Sequence, residues 1–82
     1  MIDAKVGDVV TRNLAGALIE LEVTAVDDKF IYCGPKGVGW KFDKWTGAEV
    51  DEELGWGPPP KISGSFIVLN NAPYGKVMGK IA

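Results

Sequence analysis

Residues 40–51 constrain the fold more than any other stretch of this chain. Trp40-Lys41-Phe42-Asp43 and Ala48-Glu49-Val50-Asp51 alternate apolar and charged side chains, the period-two pattern of two half-buried strands. Between them lies Lys44-Trp45-Thr46-Gly47, a short loop whose glycine can take the left-handed conformation that closes a hairpin. Asp43 stands where an aspartate accepts hydrogen bonds from the amides of a tight turn. On this phase Trp40 and Phe42 face inward, while Asp43, Glu49 and Asp51 face water. The segment predicts a small antiparallel β protein.

The remaining segments agree with that class. Val6-Gly7-Asp8 reads as a turn, followed by a first strand through Arg12 and a loop over residues 13–16. Ala17 to Val26 is the longest strand. Its alternation puts Ile19, Leu21, Val23 and Ala25 on one face, of which Ile19, Leu21 and Val23 are expected to be buried, with Glu20, Glu22 and Thr24 on the other. Asp27-Asp28-Lys29 turns into the strand Phe30-Ile31-Tyr32-Cys33, and a glycine-rich loop over residues 34–39 leads to Trp40. Asp51-Glu52-Glu53-Leu54-Gly55 suits a single helical turn, acidic at its start and ending in glycine. Pro58-Pro59-Pro60 must be irregular or polyproline-like, because proline cannot donate to a ladder. Residues 63–69 form the closing strand.

These elements predict an all-β fold: a small SH3-like barrel of five to six short antiparallel strands with one helical turn. Residues 1–69 make a single barrel domain, and residues 70–82 are a C-terminal tail or edge-covering arm. An OB-fold competes less well, since it usually carries a helix between its third and fourth strands and no amphipathic segment of that length occurs here.

One resemblance emerges from the middle of the chain. The pattern Trp40-x-Phe42-Asp43-x-x-Thr46-Gly47-x-Glu49-Val50-Asp51-x-x-Leu54-Gly55-Trp56-Gly57, preceded by Val6-Gly7-Asp8-x-Val10 and followed by Gly64-Ser65, resembles a group of short bacterial proteins of uncharacterised function. The likeness covers roughly residues 5–68. It implies the barrel and a bacterial source, and it brings no activity, cofactor or catalytic residue.

Composition limits the chemistry. The chain has no histidine, which removes the commonest general base and neutral metal ligand, and its one cysteine cannot form an internal disulfide or a structural zinc site. No cofactor is implied. Cys33 has apolar and aromatic neighbours and no adjacent cation to activate it, so it reads as buried structure. Asp43, Glu49, Asp51, Glu52 and Glu53 lack calcium-loop spacing and read as a solvated outer face. The glycine-rich loop lacks both phosphate-loop spacing and a following helix. The N-terminus has no secretory pattern and no run reaches the length of a membrane span, so the reading is cytoplasmic, with no membrane partner.

All eleven acidic residues fall at or before Glu53, and the stretch from Leu54 onward carries only Lys61, Lys76 and Lys80. Three dispersed lysines are too few for a nucleic-acid arm. They suit a tail lying back on its own acidic body.

The aromatic residues carry the functional reading. Trp45 lies in the hairpin loop and Trp56 beside the helical turn, with Tyr74 a further candidate. Loop aromatics on small barrels often form a shallow groove for extended peptides. The plainer reading has Trp45 and Trp56 capping the barrel ends, with Pro58-Pro59-Pro60 packed on one of them. The sequence therefore points to a binding or assembly module that takes a protein or peptide partner or a second copy of itself, through Trp45, Trp56 and Tyr74, rather than to an enzyme. Two alternatives stand beside it. One is a nucleic-acid-binding barrel, disfavoured by Glu20 and Glu22 on the longest strand. The other is an enzyme whose site forms only on the symmetry axis of an oligomer.

Overall fold

A computed structural model describes residues 1–34 and 39–69. Tyr74 and most of the glycine-rich loop lie outside them. The described residues are all-β: β1 (Val9–Leu14), β2 (Ala17–Val26), β3 (Phe30–Cys33), β4 (Trp40–Asp43), β5 (Glu49–Val50) and β6 (Ser65–Leu69). Every pairing is antiparallel, in the order β5-β4-β3-β2-β1-β6. Ala48 bridges Phe66, and the Ile67 N–H donates to Gly47 O at 2.9 Å, which brings the two sheet edges together. The result is a small, nearly closed SH3-like barrel. Among the described residues no helix is long and apolar enough to cross a membrane.

Local chemistry explains most of the turns. Ala15 and Gly16 both have positive φ, 52° and 93°, as a two-residue hairpin with the twist of its strands requires. The Asn13 side chain accepts from the Gly16 N–H at 2.9 Å. This tight turn carries β1 on to Leu14, two residues past the expected end. Where the sequence suggests a helical turn, the chain instead forms a closed loop. Asp51 and Trp56 exchange both backbone hydrogen bonds, and Asp51 Oδ1 caps the amides of Glu53 and Leu54. One carboxylate satisfying two amides removes the need for helical bonds.

The core is Val10, Val23, Ile31, Cys33, Phe42 and Ile67, with Ala4 from the N-terminal segment; Ile2, Leu21 and Val26 pack against it. Two corrections to the expected β2 face follow from tertiary geometry. A bulge shifts the register between Val23, opposite Cys33, and Ala25, opposite Tyr32. The extra residue reverses the phase, so Val26 joins Ile31 inside while Ala25 is exposed. At the other end of β2, Ile19 keeps the inward phase yet stays 39% exposed. There the ten-residue strand overhangs the core, and Leu21 is only half-buried. Glu20 and Glu22 are exposed on the outer face, as expected.

Candidate functional site

Because successive strands run in opposite directions, the barrel has two ends with different chemistry. The N-terminal segment, the β2–β3 and β4–β5 turns and the end of β6 share one end. The β1–β2 turn, the β3–β4 connection and the β5–β6 connection share the other.

At the first end, the β4–β5 turn is fixed by Asp43. Its Oδ2 accepts from the N–H groups of Trp45 (3.1 Å) and Thr46 (2.7 Å) and from Thr46 Oγ1 (2.8 Å). The Asp43 backbone closes the turn with Gly47 and Ala48 at 2.8 and 2.7 Å. Gly47 has φ +81°, and a Cβ there would lie 2.6 Å from Ile67 O and 2.9 Å from Ile2 Cδ1. Only glycine fits, which is why the turn packs tightly against β6. This frame holds Trp45 at its tip, 64% exposed.

At the opposite end, β5 delivers a result the alternation pattern missed. Phe42 pairs with Glu49, so Glu49 shares the inward face and is 3% exposed. The expected outward position of Glu49 is therefore corrected. The turn sets the pairing one residue away from the register that would have turned Ala48 and Val50 inward, and a one-residue slip exchanges faces. Arg12 on β1 is its partner, 8% exposed. Arg12 Nη2 and Nε donate to Glu49 Oε1 at 2.7 and 3.2 Å, and Nε also donates to Ser65 Oγ at 2.9 Å. The guanidinium lies 4.8 Å from the ring centroid of Trp40, whose face stabilises the cation. Trp40 has the inward phase yet remains 36% exposed at this rim. The sequence offered one sign of this network. Arg12 shares the strand face of Val10 and Leu14, so its charge had to meet an opposite one inside.

The other acidic residues have local tasks. Glu52 pairs with Lys41 at 3.2 Å, and that amine holds its carboxyl below the ordinary range. A shallow hollow of about 260 Å³ lies between Trp40, Lys41, Glu49 and the acidic 51–53 turn.

On the outer face of β3, a groove of about 410 Å³ is lined by Asp27, Asp28, Lys29, Phe30 and Tyr32. The rings of Phe30 and Tyr32 meet edge-on, 6.2 Å apart, and Lys41 Nζ lies 4.6 Å over Phe30. Asp27 accepts from the amides of Lys29 and Phe30 and from the Tyr32 hydroxyl at 2.8, 2.7 and 2.8 Å. The Lys29 amide, the Tyr32 hydroxyl and then the Phe30 amide hold the Asp27 carboxyl below its ordinary range. Asp27 in turn raises the Tyr32 hydroxyl above its ordinary value, because losing the phenolic proton would break the bond. Cys33 is fully buried, and burial pushes its thiol up to about 11.

The three aromatic candidates separate. Trp45 stands exposed at one end. Trp56 is half-buried at the other, where it bridges Asp51 and Ile62 and packs its ring against Gly64. Tyr74 lies outside the described residues. The described structure thus sets Trp45 and Trp56 at opposite ends of β5. No family model, curated protein or solved structure matches this chain.

Proposed function

We propose that this chain is a small binding or assembly module that engages a protein or peptide partner, with Trp45 as its anchor. The observation that carries this reading is the rigid display of a 64%-exposed indole on a turn pinned by Asp43. A tryptophan side chain offers roughly 150–250 Å². Burying the exposed share would contribute on the order of 2–4 kcal/mol at about 25 cal/mol per Å². A preset turn adds little ordering cost to that gain. Tryptophan is also among the residues most enriched at interface hot spots.

Trp56 and Tyr74 remain proposed contact residues of the same module. Half-buried and bridged to Asp51 and Ile62, Trp56 would meet the far end of an extended partner or cap the barrel. Nucleic acid fits less well, because β2 presents Glu20 and Glu22 outward where phosphate contacts would need cations. The setting we propose is a bacterial cytoplasm.

Affinity capture from extract of the source cell with the wild-type chain and a Trp45→Ala chain tests the reading. Each retained protein is then purified and titrated against both chains by calorimetry. A protein that binds the wild-type chain directly and the variant at least about tenfold more weakly, a difference of about 1.4 kcal/mol, supports it. Equal binding to both chains, or recovery of nucleic acid with a steep salt dependence, overturns it.

A further inference from the structure

We draw no further inference here: the strongest candidate, the strip of exposed apolar side chains that Val9, Leu18, Phe66 and Val68 form on the outer face of β6, β1 and β2, carries no proposal because nothing among the described residues shows what covers it.

Discussion

The buried pair of Arg12 and Glu49 is the most consequential feature for stability, and removing either partner alone should be severe. Arg12→Met keeps the length of the side chain but strands the Glu49 carboxylate, 3% exposed and without the two hydrogen bonds it accepts. Glu49→Leu strands a guanidinium that retains Ser65 and the face of Trp40 but no opposite charge. Breaking a buried ion pair from one side costs about 3–5 kcal/mol. A barrel of this size has roughly 3–10 kcal/mol in total, at about 0.05–0.15 kcal/mol per residue. Each single variant should therefore lose between a third and all of its stability in urea titrations followed by tryptophan fluorescence. The double variant Arg12→Met with Glu49→Leu leaves no stranded charge, and it should recover to within about 1–2 kcal/mol of wild type. Additive losses in the double variant would refute the view that a desolvated charge sets the cost.

Three further expectations follow from named contacts. Gly47→Ala should cost at least about 2 kcal/mol by urea midpoint, since its Cβ would lie 2.6 Å from Ile67 O at a positive φ; Gly16→Ala, also at positive φ but with open space around it, should cost only about 1 kcal/mol. The Asp27 carboxyl, followed by NMR, should titrate below 3.8 and move up in Tyr32→Phe, so its contribution to stability is present above pH 3.8 and lost as pH falls through the lower folded value; an unmoved midpoint would remove the hydroxyl from the causes of the shift. The Cys33 thiol, pushed up by burial from 9.0 to about 11, should resist thiol reagents in the folded chain, and stability should decline as pH rises from about 9 towards 11; rapid labelling of native protein at neutral pH would contradict its burial.

Local sequence determined what depends on a few neighbouring residues. The alternation over residues 40–43, the Asp43 cap and the positive φ of Gly47 each follow from short-range sterics and hydrogen bonding, and the structure contains all three. The all-β class and the outward Glu20 and Glu22 were legible for the same reason: alternation fixes a face wherever the strand runs without interruption. Tertiary structure decided what depends on register across strands. A bulge opposite Tyr32 turned Ala25 outward and Val26 inward, and the pairing of Phe42 with Glu49 brought a carboxylate inside to meet Arg12. Neither partner of that pair is visible from the other, because 37 residues separate them and only the near-closure of the sheet makes them neighbours. The same distinction divides the aromatic candidates. Trp45 could be assigned to its turn from the sequence, but its exposure was decided by the fold, and the fate of Trp56 waited on Asp51, Ile62 and Gly64 folding around it. Alternation specifies which side of a strand a residue occupies; only the assembled barrel specifies what lies on that side.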